Sequence, residues 1–271
     1  MNKIAKLFFL LIILLGCSDT LDSHQMQIKP QEPELPPKND LWIFIMAGQS
    51  NMAGRATIEA RDKIRNDRIF AINSENEVVV AREPLHFYEP SGAGLDCGIS
   101  FGTEMLKHLP DNISILLVPT AVGGSSIEQW INDDTHRGIR LLSNFKRRLQ
   151  TSLKHGVLKG VLWHQGESDA HHERTIQSYQ GNMKILFEKF RGIAVNESLP
   201  IVAGKLGSFA VNQERWDKIN NAIEAYSLSD ENCSVIETSD LEDKGDKIHF
   251  NSAAQRAMGK RYAETMLGLI K

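Results

Sequence analysis

Positive charge is not in excess in this chain: 31 Lys and Arg stand against 34 Asp and Glu, a formal net charge of -3. Without a basic footprint nucleic acid is a poor partner, and a neutral or weakly charged small substrate fits at least as well. No internal repeat is visible, and no low-complexity tract beyond a polar segment near the N-terminus. Cysteine is scarce, at three. Cys17 belongs to the N-terminal segment, and nothing in the spacing of Cys97 and Cys233 says that they meet. Two unpaired, buried thiols are the expectation, although an oxidising compartment would permit a disulfide. No His-Glu-x-x-His spacing occurs either. His164, Glu167, Asp169, His171 and His172 crowd together in the sequence but fit no familiar ligand pattern, so neither a metal nor another cofactor is expected.

What is present begins with "MNKIAKLFFLLIILLGCSDT". Lys3 and Lys6 make a positive start, and Leu7 to Leu15 an apolar run far short of the about 20 residues that span a bilayer. The run closes on Gly16 and Cys17. It resembles a bacterial lipoprotein signal, which implies removal of residues 1–16 and lipidation of Cys17; an ordinary secretory signal with an incidental cysteine is the plainer alternative. Both send the protein out of the cytoplasm, the first to a membrane-anchored place in the periplasm or at the cell surface. Residues 17–39, polar and proline-rich, read as a tether. The whole chain has 41% hydrophobic and 24% charged residues, ordinary for a globular protein, and the domain is expected over 40–271 as one unit with a sizeable core.

Within it, apolar runs rich in β-branched residues alternate with helical patterns. "LWIFIMA", "RIFAI" with "VVVA", "ISILLVPT", "LKGVLWH", "LPIVAGKL" and "CSVIET" predict strands. Between them Ile139, Leu142, Phe145, Leu149 and Leu153 recur at three- and four-residue steps, one face of a helix. The alternation predicts an α/β fold with a mostly parallel sheet covered on both faces. In such folds sites form beyond the carboxyl ends of the strands.

That is where the unusual residues fall. "GQSNMAG" follows the first strand with Ser50 at its turn. "AVGGSSIEQW" follows "ISILLVPT", "HQGESDA" follows "LKGVLW", and "KGDKIHFNSAAQ" comes near the C-terminus. Together they hold what acyl transfer from an ester requires. A serine needs a base to take its proton, and histidine suits the task. Asp246, three residues before His249, is placed to orient that imidazole; Asp240 and Asp243 are its rivals. An oxyanion needs donors, for which the Ser50 N–H, the Gly124 N–H and the Gln165 carboxamide are candidates. Gly123 competes with Gly124. Glu167 is read as shaping its loop, Trp130 and Trp163 as core.

"GQSNM", "GGSSIEQW", "WHQGESD" and "DKIHF" resemble, in order, the motif blocks of the sialate O-acetylesterase-like domain, which includes carbohydrate esterase family six, within the SGNH-hydrolase superfamily. The resemblance runs from residue 44 to 250. It implies a three-layer α/β/α sandwich and metal-free removal of O-acetyl groups from sugars, with Ser50 as nucleophile, His249 as base, Asp246 as orienting acid, and Gly124 and Gln165 in the oxyanion hole. Acetylated xylan is the favoured substrate, O-acetylated sialic acid the second. A metal-dependent deacetylase using His164, Glu167 and Asp169, and a glycan-binding lipoprotein without turnover, are the alternatives.

Overall fold

A computed structural model describes residues 33–270. The signal segment expected at 1–16, Cys17 and residues 18–32 of the expected tether lie outside the described residues. Residues 33–39 lead into a single 3-10 turn, Lys38–Asp40, and Leu35 packs against the core. Among the described residues no helix is long and apolar enough to cross a membrane.

The predicted strands form one seven-stranded sheet. In chain order the strands are β1 (Leu41–Gly48), β2 (Ile69–Ile72), β3 (Val78–Val80), β4 (Ser114–Pro119), the short pair β5 (Thr135–His136) and β6 (Ile139–Arg140), then β7 (Val157–His164), β8 (Ile201–Gly204) and β9 (Cys233–Ile236). The sheet order is β3-β2-β4-β1-β7-β8-β9, parallel throughout except for β3 against β2. Successive side chains of a strand point to opposite faces, and both faces here are apolar. Ile43, Ile45 and Ala47 of β1 join one core cluster, while Phe44 and Met46 join the other. The first cluster lies under α3 (Ile127–Ile131), α4 (Leu141–Ser152), α5 (Glu173–Ala194) and α6 (Gln213–Ser227). The second lies under α2 (Gly98–Leu106) and α7 (Ser252–Leu269). The result is the expected three-layer α/β/α arrangement. Cys97 and Cys233 are both buried and free, one in each cluster.

One helix starts later than its periodicity predicts. Ile139 belongs to β6, and α4 begins at Leu141. The cause is the Arg137–Gly138 turn, in which both residues have positive φ (49° and 79°). Two such residues make the tight hairpin loop whose twist matches paired strands, so β5 and β6 pair before the helix starts.

Strand β1 is where the order reverses: the chain leaves it for β2, returns to its near side as β4, and then crosses to its far side as β7. The carboxyl ends of β1, β4 and β7 therefore meet at a switch point, the usual place for a ligand crevice. Here α1 (Ser50–Ala53) opens directly after β1.

The face under α3 to α6 is held by an aromatic cluster. Phe190 stacks on Phe145 at 4.2 Å and meets Trp130 and Trp163 edge-on at 6.1 and 6.0 Å, all fully buried. Truncating such a ring removes its transfer energy and leaves a cavity, about 3–5 kcal/mol. Phe190→Ala is expected to lower the thermal midpoint by on the order of 10 °C, read by thermal unfolding. A parental midpoint would mean that the neighbours close the hole.

Candidate active site

The loops after β1 and before α7 bring Ser50 and His249 together across 199 residues, with Ser50 Oγ 3.0 Å from His249 Nε2. His249 Nδ1 lies 2.7 Å from Asp246 Oδ2. Asp246 Oδ1 accepts the N–H groups of His249 and Ile248 at 2.8 and 3.0 Å. Partial burial works against its charge, yet the His249 ring and these two N–H groups hold the carboxyl at about 2. An ionised carboxylate can only accept, so His249 Nδ1 donates to Asp246 and Nε2 is the ring nitrogen that faces Ser50 Oγ. The rival carboxylates are engaged elsewhere. Asp240 pairs with Arg261 at 2.6 Å. Asp243 folds the loop itself, accepting from the N–H groups of Gly245 and Lys247 at 2.8 and 2.6 Å.

Ser50 opens onto a cleft of about 780 Å³ whose lining includes Gln49, Gly123, Gly124, Glu167 and His249. The Ser50 N–H, at the first position of α1, has no backbone partner among the described residues, and neither has the Gly124 N–H. Gly123 differs, because its N–H is bound to Glu89 Oε2 at 2.6 Å. Its carbonyl accepts from His136 Nε2 at 2.9 Å. In a trans planar peptide the following N–H points away from that carbonyl, so His136 turns the Gly124 N–H to the opposite side. Gly124 itself takes φ +77°, a conformation open to glycine. Glu89 also accepts from Arg55 at 2.6 Å and Arg137 at 2.9 Å. Burial opposes its charge, but the Gly123 N–H and the two guanidiniums keep its carboxyl below the ordinary range.

Gln165 is not placed as the sequence reading expects. It is fully buried, and its amide nitrogen is within 2.6 Å of Asp169 Oδ2, 3.0 Å of Gln49 Oε1 and 3.1 Å of the Ser125 carbonyl. More acceptors surround that nitrogen than it has hydrogens. Gln49 Oε1 accepts a second bond, from the Ser168 N–H at 3.2 Å. A backbone donor fixes that end of the Gln49 amide as oxygen, and its Nε2 is the end left for the cleft.

Glu167 is buried beside the site, its Oε1 2.5 Å from Asn51 Nδ2 and 3.6 Å from His164 Nε2. Although burial disfavours the charge, His164 and Asn51 hold its carboxyl below the usual value. Asp169 faces Gln165 and the Ile127 N–H, and among the described residues no three metal-ligating side chains converge. His171 lines the cleft, and His172 stands before the first turn of α5 without a side-chain cap. Trp130 and Trp163 are core. Sequence reasoning missed Gln49, Asn51, Glu89 and His136, whose partners lie 13 to 199 residues away and leave no local pattern.

Asp169 gives this region a pH signature. Burial pushes its carboxyl up to about 6, against the Ile127 N–H and Gln165, and its Oδ1 has no partner among the described residues. Between the ordinary value and about 6, the folded chain keeps a proton that the unfolded chain has released, so this group's contribution to stability falls as pH rises through that window. Asp169→Asn keeps an acceptor for Ile127 and cannot ionise. Its thermal midpoint is expected to gain on the parent's between pH about 4 and about 7. A difference that stays constant over that range would show that Asp169 does not titrate there.

Comparison with known proteins places the chain in a family. A probable carbohydrate esterase of Arabidopsis thaliana is 31% identical over 258 residues, covering 88% of this chain and 94% of that protein. The solved structure of the Arabidopsis protein superimposes with a TM-score of 0.76 at 29% identity, over 87% of this chain and all (100%) of that one. NanS shares the fold at 17% identity with a TM-score of 0.66, over 87% of this chain and 98% of its own. A carbohydrate acetylesterase from Xanthomonas citri does so with the same identity, 17%, and TM-score, 0.66, over 85% and 56%. Residues 40–268 match the carbohydrate esterase, sialic acid-specific acetylesterase family, and the chain belongs to it.

Proposed function

We propose that this protein removes O-acetyl groups from a carbohydrate through a serine acyl-enzyme. The observation that carries the reading is the Ser50–His249–Asp246 relay, with contacts of 3.0 and 2.7 Å, opening beside the N–H groups of Ser50 and Gly124, which have no backbone partner among the described residues. His249 Nε2 takes the Ser50 proton as Oγ bonds to the acetyl carbon, and the carbonyl π pair moves to oxygen. Asp246 stabilises the imidazolium without taking its proton. As the tetrahedral centre collapses, the bond to the sugar oxygen breaks and His249 returns the proton to that oxygen. Water, deprotonated by His249, then attacks the acetyl-serine; the bond from the acetyl carbon to Ser50 Oγ breaks, His249 returns the proton to Oγ, and acetate leaves.

The developing oxyanion is met by Ser50 N–H and Gly124 N–H, and the third donor on the cleft wall is Gln49 Nε2. Gln165 is then the residue that holds Gln49 in place. Loss of one preorganised donor lowers the rate about a hundred- to a thousandfold, so Gln49→Ala is expected to fall in that range.

The cleft is lined by four cationic side chains, Arg55, Arg137, Arg215 and Lys247, against two carboxylates, Glu89 and Glu167. A xylose backbone carries no charge to meet the surplus. The balance favours an acidic sugar, so O-acetylated sialic acid moves ahead of acetylated xylan. The same reading makes Cys17 the lipid-bearing residue of an extracytoplasmic, membrane-anchored enzyme, which incorporation of a fatty-acid label, abolished by Cys17→Ser, would support.

The decisive experiment is acetate release from a small acetyl ester, acetylxylan and O-acetylated sialic acid, by the parent and Ser50→Ala, with and without chelator. Turnover in the parent that survives the chelator and vanishes in Ser50→Ala is expected, fastest on the sialic acid ester. Equal rates in parent and Ser50→Ala would sink the serine mechanism, and loss to the chelator would bring a metal-dependent deacetylase forward. No turnover on any ester would favour a glycan-binding protein.

A further inference from the structure

We infer that Asn51, the residue after the nucleophile, is a positioning residue that sets the distance between Ser50 and His249; this rests on the serine mechanism proposed above. Its carboxamide is fully buried and grips both neighbours of His249. Nδ2 donates to the Ile248 carbonyl at 3.0 Å, and Oδ1 accepts from the Phe250 N–H at 3.1 Å. A carbonyl must face the nitrogen and an N–H must face the oxygen, so the amide has one orientation. Its second hydrogen goes to Glu167 Oε1 at 2.5 Å. Its backbone carbonyl accepts from Gln255 Nε2, on α7, at 2.9 Å.

The need for such a bracket follows from how the rest of the relay is held. His249 and Asp246 sit on one loop, and their contact is fixed by that loop's own N–H groups. Nothing within the loop fixes its distance to Ser50, which belongs to a segment 199 residues earlier. Other ties between the two segments attach further out: Lys244 Nζ to the Arg55 carbonyl at 3.2 Å, and Ser252 Oγ to the Thr57 carbonyl at 2.6 Å. Among the described residues, only the Asn51 side chain ties the position beside the nucleophile to both residues beside the base. Glu167 acts through Asn51: its buried carboxylate occupies the second amide hydrogen and keeps the side chain from turning.

The test is steady-state kinetics on a small acetyl ester together with the rate at which a fluorophosphonate probe labels Ser50, in parent, Ser50→Ala, Asn51→Ala and Glu167→Gln. A displacement on the order of 1 Å in a reacting pair costs about a hundredfold. Asn51→Ala is expected to lose about that much in kcat with KM within about twofold, and Ser50 labelling should slow by a similar factor. Glu167→Gln still offers Asn51 an acceptor oxygen and should keep kcat within about tenfold of the parent.

Should Asn51→Ala fail to fold, Asn51→Ala/Glu167→Ala leaves no carboxylate stranded and takes its place, with the same expected loss. Parental kcat in the folded Asn51 variant, or a loss carried by KM with labelling unchanged, would overturn the bracket. So would a Glu167→Gln variant as inactive as Ser50→Ala, because the carboxylate would then act directly rather than through Asn51. Parental turnover in Ser50→Ala would instead overturn the serine mechanism itself.

Discussion

The last backbone contact between β1 and β7 governs the geometry of the whole cleft. Gly48 pairs with His164, and a Cβ on Gly48 would lie 2.1 Å from the His164 carbonyl oxygen. Its φ of +137° is likewise one that side chains rarely adopt. This close approach lets the next residue, Gln49, donate its N–H to that same carbonyl at 2.9 Å and start the turn that exposes Ser50. The Gly48 carbonyl faces the other way and accepts from Val122 N and Ser125 Oγ, at 3.1 and 3.3 Å, at the head of the Gly123–Gly124 loop. One peptide thus fixes the heights of three loops from three adjacent strands. A side chain at position 48 would part the strands at the point where Ser50 and the Gly123–Gly124 loop must register.

Around this point the protein also draws two carboxylates out of water, Glu167 buried and Glu89 half-buried. Glu89 and Glu167 each lose hydration, and each is offered donors from distant segments. Glu89 is met by Gly123, Arg55 and Arg137 together; Glu167 Oε1 is met by Asn51, with His164 nearby, and its Oε2 has no partner among the described residues. A hydrophobic side chain in either place would fill the space without holding anything at a defined angle. A carboxylate with directional partners does hold them, and losing those partners would be costly enough to disfavour other loop conformations. The charge therefore defines one geometry for loops that have little regular secondary structure.

Much of the architecture was legible in the sequence because it depends on local pattern. Each predicted strand is present, since apolar runs bounded by turn residues report burial on both faces directly. The α4 start was missed by two residues because a two-residue turn with positive φ at a non-glycine, Arg137, looks like ordinary polar helix surface. At the site, Ser50, Asp246 and His249 were visible as short motifs, and the structure brings them within hydrogen-bond reach. Gln165 shows where motif reading stops. Its position after β7 was foreseen, but whether its amide points up into the cleft or down onto Asp169 depends on Gln49, Ser125 and Tyr179, which approach from other elements. The choice of Gly124 over Gly123 had little local support for the same reason, because Glu89 and His136 decide which N–H is taken.

These cases divide along one line. Contacts closed within a few residues, such as Asp246 to its own loop, cost little ordering entropy, because short loops already hold their ends close. Contacts across 116 or 199 residues, such as Asn51 to Glu167 and Phe250, exist only once the sheet has formed. The Asp246–His249 contact is therefore built by local sequence, whereas the distance from His249 to Ser50 is built by topology. An arrangement of this kind is exposed to any change that shifts α7 or β1 relative to one another. The α7 residue Gln255, bonded to the Asn51 carbonyl, and Gly48, pressed against His164, sit at the two places where such a shift would first be felt.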